Sequence, residues 1–161
     1  MATATYTLID STTLTSSTSS VTFNSLPQTY GDLIIIYSGK TTGSTGQLKW
    51  SYNNSTVGYA MINMEASGSN ARSALATQDH IYVSYDYSEL SDYGEMTEIQ
   101  VMDYAATNKK SPTLIRGGRP TAGVSASVAL QNSTSAISSI EFATSTPLAI
   151  GSSFHIYGIE K

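Results

Sequence analysis

Apolar and polar residues alternate with a period of two along most of this chain, and no stretch holds the 3.6-residue period of a helix. Leu48, Trp50 and Tyr52 fall on one strand face, with Lys49, Ser51 and Asn53 on the other. Ile81, Val83, Tyr85 and Tyr87 alternate with His80, Tyr82, Ser84 and Asp86. Val124, Ala126, Val128 and Leu130 alternate with Ser125, Ser127 and Ala129. Phe154 and Ile156 share a face opposite His155, Tyr157 and Ile159. Successive strand side chains point to opposite faces, so the pattern commits the chain to sheets. The run Leu33-Ile-Ile-Ile-Tyr37 breaks the alternation. A strand apolar on both faces is either central and covered twice, or met by another subunit.

Strands are expected at 5–14, 20–24, 32–38, 47–52, 58–64, 80–87, 97–104, 112–116, 123–131, 136–143 and 152–159. Turn-formers separate them: Gly39–Gly46, Asn53-Asn54-Ser55, Gly68-Ser69-Asn70, Gly117-Gly118 and Asn132-Ser133-Thr134. Residues 65–79 are the place for an irregular excursion, with one helical turn expected at Ala71–Ala76. In the first strand Tyr6, Leu8 and Leu14 are expected to bury, and Pro27 to set a corner before the core strand. Gly158 is expected to permit close approach of a neighbouring strand. About eleven short strands at this spacing predict an all-β fold: one antiparallel β-sandwich domain, jelly-roll-like, over residues 1–161.

Composition narrows the function classes. Charged residues make up 12% of the 161, about half the usual share, and Ser and Thr fill the gap at roughly 29%. The net charge is −4, and no basic cluster exceeds Lys109-Lys110 and Arg116/Arg119, which argues against nucleic-acid binding. There is no cysteine, so disulfides and thiolate metal sites are excluded. Met-Ala-Thr-Ala-Thr lacks basic and apolar leader regions, so no signal peptide is expected. The longest strongly apolar run, Leu33–Tyr37, is too short to cross a bilayer, and no membrane partner is expected.

No catalytic constellation is visible. His80 opens one strand and His155 lies in the last; both read as strand surface residues rather than metal ligands. The stretch 85–95 holds Asp86, Glu89, Asp92 and Glu95, whose spacing matches no EF-hand and reads as a solvated loop rather than a calcium site. A glycosidase would need paired acids across an aromatic cleft, which the pattern does not offer. Eleven tyrosines and one tryptophan could stack on sugars, but the same residues serve protein interfaces, and Trp50 shares the phase of Leu48. Asn53-Asn54-Ser55-Thr56 and Asn132-Ser133-Thr134 match glycosylation patterns that chance supplies in a Ser/Thr-rich chain. Gly117-Gly118 is too short for a phosphate loop. The expectation is no enzyme, no cofactor and no metal.

The two ends carry a resemblance. The opening Tyr6-Thr-Leu-Ile-Asp-Ser-Thr-Thr-Leu14, Val21-Thr-Phe23, Leu26-Pro-Gln-Thr-Tyr30 and Asp32-Leu33 is similar to that of small phage virion structural proteins, many from phages of marine and cyanobacterial hosts. The close Gly151-Ser-Ser-Phe-His-Ile-Tyr-Gly-Ile159 resembles the way members finish, and together these cover roughly a quarter of the chain. The resemblance implies a virion component. The expected function is a capsid decoration (cement) protein on the capsid surface, a homotrimer that clamps adjacent major capsid proteins and resists expansion by the packaged genome. The alternative is a tail-fibre or tail-associated module that binds host surface glycan, although the chain shows no repetitive shaft. A lectin-like domain unrelated to phages is a third reading. Candidate interface residues are Ile34, Ile36, Tyr85, Tyr87 and Tyr93.

Overall fold

The two ends of the chain meet in one sheet. In a computed structural model that describes residues 5–43, 46–56, 58–83, 92–119 and 122–161, β1 (Tyr6–Thr13) pairs antiparallel with β12 (Ser153–Ile159). β12 then pairs with β3 (Asp32–Gly39), so β1, β12 and β3 lie side by side. The other strands are β2 (Thr18–Phe23), β4 (Leu48–Tyr52), β5 (Tyr59–Ala66), β6 (Ala71–Gln78), β7 (Ile81–Tyr82), β8 (Glu95–Val101), β9 (Pro112–Arg119), β10 (Gly123–Gln131) and β11 (Ile140–Leu148). There is no helix among the described residues.

One sheet has eight strands in the order β1-β12-β3-β8-β9-β10-β5-β6, the other four in the order β2-β11-β4-β7. All pairings are antiparallel. Without β5–β6 and β9–β10, the sheets read β1-β12-β3-β8 and β2-β11-β4-β7. The chain steps between the sheets, and each late strand slots between two early ones, which is jelly-roll topology. The hairpins β9–β10 and β5–β6 extend only the first sheet, doubling its width.

The core between the sheets is aromatic. Phe142 and Phe154 approach to 4.8 Å between ring centroids, as do Tyr37 and Phe154, while Trp50 and Phe23 flank Phe142. These rings come from both sheets, and their tilted or edge-on arrangement suits their quadrupoles. Leu48, Trp50 and Tyr52 are buried as their shared phase predicts, and so are Phe154 and Ile156. Asn53 and Asn54 turn the chain after β4 with positive φ (52° and 55°), conformations Asn tolerates better than most residues. The Asn53 carboxamide also ties that turn to the start of β11: Oδ1 accepts from the Ser138 and Ser139 amides, and Nδ2 donates to the Ala136 carbonyl.

Five expectations are corrected. There are twelve strands among the described residues rather than eleven, because 71–78 form β6, paired in full register with β5, not a helical turn. Pairing overrides the helix preference of Ala, Leu and Gln there. Tyr6 and Leu8 point outward; Leu14 packs against the core as expected, and Ile9 joins it, with a bulge between Leu8 and Asp10 resetting the phase. Gly158 makes room for the Tyr30 ring, not for a strand: a Cβ there would overlap the ring. Glu95 is buried at the start of β8 rather than solvated in a loop. Pro112–Arg119 and Ile140–Leu148 run past the ends expected for those strands.

Candidate interaction surface

The phase of the extension strands sets the surface apart. In β10 it is Ser125, Ser127, Ala129 and Gln131 that are buried, while Val124 and Val128 are exposed. In β5, Asn63 and Glu65 are buried with Tyr59 and Met61, while Ile62 and Met64 face solvent, Met64 at 63%. Leu75 of β6 is 75% exposed and Met96 of β8 62%. Several of the polar residues beneath are hydrogen-bonded: Asn63 Nδ2 donates to Glu65 Oε1 at 2.6 Å, Arg72 donates twice to Glu65 Oε2, and Ser125 Oγ donates to the Val83 carbonyl, while Ser127 Oγ has no hydrogen-bond partner. This half of the sheet buries hydrogen-bonded polar groups and shows its apolar groups to water. Exposed apolar side chains over buried polar ones are the informative departure from the usual arrangement, and such a patch is a candidate interaction surface.

The register joins these residues to the jelly-roll half. Across β1, β12, β3 and β8 the partners are Leu8, Tyr157, Ile34 and Gln100. The row continues over β9, β10, β5 and β6 as Leu114, Val128, Ile62 and Leu75. Seven of these eight positions are apolar or aromatic. Gln100 is the exception, and its Nε2 donates to Asp32 Oδ2 at 3.0 Å. The adjacent row holds Glu98 and Arg116, paired at 2.6 Å on β8 and β9 at the middle of the sheet, while Asp32, on the other side of the apolar row, is a further charge of the face. Shallow depressions lie along the face, two of them over the central rows. One, about 310 Å³, is lined by Tyr6, Ile34, Ile36, Glu98 and Tyr157. The other, about 470 Å³, lies among Ile62, Met64, Leu114, Arg116 and Val128.

Among the candidate interface residues, Ile34 and Ile36 lie on this face, Ile34 nearly buried and Ile36 half-buried. Tyr93 is exposed but sits in the turn before β8, apart from them. Tyr85 and Tyr87 lie outside the described residues. Sequence reasoning missed Ile62, Met64, Leu75, Leu114 and Val128. In β5 a signal was present: Tyr-Ala-Met-Ile-Asn-Met-Glu-Ala has apolar residues in both phases, as a strand covered on both faces requires.

Elsewhere the polar groups are tied up or buried. Trp50 is fully buried and its Nε1 donates to Tyr52 Oη, so it offers no face to a sugar. Tyr52 Oη is also within 2.8 Å of Thr113 Oγ1, and burial pushes the Tyr37 and Tyr52 hydroxyls well above the usual range. Tyr82 Oη donates to Asp79, which also lies 3.0 Å from His80; burial, with this bond and charge added, pushes the Tyr82 hydroxyl up to about 12. His155 stacks on Tyr157, on the apolar face. No three His, Asp or Glu side chains converge as metal ligands would among the described residues, and no helix there is long and apolar enough to cross a membrane. No family model matches this chain, and the searches found no similar curated protein and no similar solved structure.

Proposed function

We propose that this protein is a non-enzymatic structural component of a phage particle, a capsid decoration protein that works by burying surface against neighbouring subunits. The observation that supports it best is the apolar outer face of the eight-stranded sheet, laid over a buried layer that includes the hydrogen-bonded Asn63, Glu65 and Ser125. A decoration protein needs a rigid shape and surfaces to bury, and identical weak contacts repeated over a shell act together. In this reading the partners are other copies of the chain and the major capsid protein, and the chain takes its place on the capsid surface. The resemblance of the two ends supplies the phage context.

The test is on particles. Purified protein added to heads that lack it is expected to bind in hundreds of copies per particle and to raise the temperature at which heads release genome. Recovery of the protein on tails, in a few tens of copies and absent from tail-less heads, would replace this reading with a tail module that binds glycan.

A further inference from the structure

The large apolar side chains exposed among the described residues are concentrated on one face. All but Tyr93 and Ile150 belong to the outer face of the eight-stranded sheet. A head-to-tail ring would need a second apolar surface, elsewhere on the molecule, to receive that face. The described residues present no such surface. A face that must be covered, with no other apolar surface to cover it, calls for itself.

We infer that this face is closed by the same face of a second copy, about a two-fold axis running along the strands between β8 and β9. The inference rests on reading the face as an interface and names its occupant. Four strands lie on each side of that axis. Rotation about it sets β8 over the partner's β9, so Glu98 meets the partner's Arg116 and the reverse. It also sets β3 over β10 and β12 over β5, which brings Ile34 to the partner's Val128 and Tyr157 to the partner's Ile62. Charge meets opposite charge at the centre, and apolar meets apolar on either side. An axis across the strands through the same row would instead stack Glu98 on Glu98 and Arg116 on Arg116.

The size of the face agrees. Eight strands about 4.8 Å apart and three side-chain rows about 7 Å apart span roughly 38 Å by 20 Å, on the order of 800 Å². A stable interface buries about 800 Å² per partner. Two sheets packed in this way make an aligned sandwich, with their strands crossing at about 30°.

The chain has no cysteine, so the register can be read by cross-linking. Tyr157 and Ile62 lie five strands apart in one copy, about 24 Å, so a link between them must join two copies. Tyr157→Cys and Ile62→Cys chains, mixed and treated with a short bismaleimide, are expected to give the mixed 157–62 product. Sedimentation of the unmodified chain at tens of micromolar is expected to give a dimer. Val128→Glu, at an exposed position, is expected to raise the dissociation constant at least tenfold, while its melting temperature when monomeric matches that of monomeric wild type. A monomer at every concentration, a trimer, or cross-links dominated by 62–62 would overturn the two-fold. Binding to heads by a strictly monomeric chain would do so while leaving the decoration reading standing; a dimer that binds no head would do the reverse.

Discussion

At the scale of single residues, Glu95 and Gly158 carry consequences that can be measured. Glu95 faces into the sandwich, 5% exposed, with Oε1 accepting from Thr97 Oγ1 at 2.9 Å and Oε2 without a hydrogen-bond partner. Burial raises its pKa from 4.5 to about 7, although the Thr97 bond and the charge of Arg119 pull the other way. The folded protein therefore holds a proton that the unfolded chain releases near pH 4.5. Between these values the folded state binds more protons, so stability falls as pH rises. The contribution is fully present below 4.5 and lost above about 7, and amounts to on the order of 3 kcal/mol. Glu95→Gln removes the titration and keeps the shape. Urea unfolding from pH 4.5 to 8 is expected to show wild type losing that much stability relative to the variant; parallel curves would mean that the carboxyl is solvated. Gly158 lies against the Tyr30 ring, where a methyl group has no room. Gly158→Ala is expected to cost about 1–3 kcal/mol as an overpacking change, read as a lower urea midpoint at unchanged slope.

At the scale of elements, β12 and β6 occupy opposite situations. β12 lies between β1 and β3, and its Phe154 and Ile156 are fully buried. Removing residues 151–161 deletes a central strand and strips pairing from both neighbours. The loss of several kcal/mol is comparable to the whole stability of a domain, so the truncated chain is expected to show no cooperative melting. β6 is an edge strand, and Leu75→Lys on it is expected to change the folding stability of the monomer, measured at concentrations below dimer formation, by under about 0.5 kcal/mol. The contrast follows what the sequence made visible. β12 announced itself through large residues in one phase. β6 is built of Ala, Arg, Ser, Leu, Thr and Gln, with neither β-branched run nor aromatic to declare a strand, and its pairing with β5 holds it extended. In β10 the period was plain but the phase was not. Val-Ser-Ala-Ser-Val alternates whichever side is buried, and the choice depends on groups contributed by distant segments, Asn63 and Glu65 of β5 and the Val83 carbonyl that Ser125 meets. The same ambiguity hid Tyr6 and Leu8, whose phase is set by their register with β12 and the bulge that follows. The jelly-roll class was thus legible strand by strand, while the interaction face exists only once eight strands are placed in register.

At the scale of the whole molecule, a chain of net charge −4 with one broad apolar face has little electrostatic repulsion to hold two copies apart. The remaining surface is hydroxyl-rich and keeps the assembly in solution without adding charge. Folding and association are then linked by mass action, because the unfolded chain cannot present an eight-stranded face. For a dimer that unfolds to two chains, each tenfold rise in concentration adds about 1.4 kcal/mol per dimer to the unfolding free energy. Unfolding entropy near 2.1 cal/mol/K per residue over two chains turns this into a rise of about 2 °C in melting temperature per tenfold. The wild-type chain is expected to show that slope between about 1 and 100 micromolar. Val128→Glu is expected to show none over the same range, because its face carries a charge that pairing would have to bury beside Ile34. Sulfate, which strengthens apolar burial, is expected to raise the wild-type melting temperature more than that of the variant. A wild-type melting temperature independent of concentration would mean that the face stays open in solution and that its cover is supplied by a different protein.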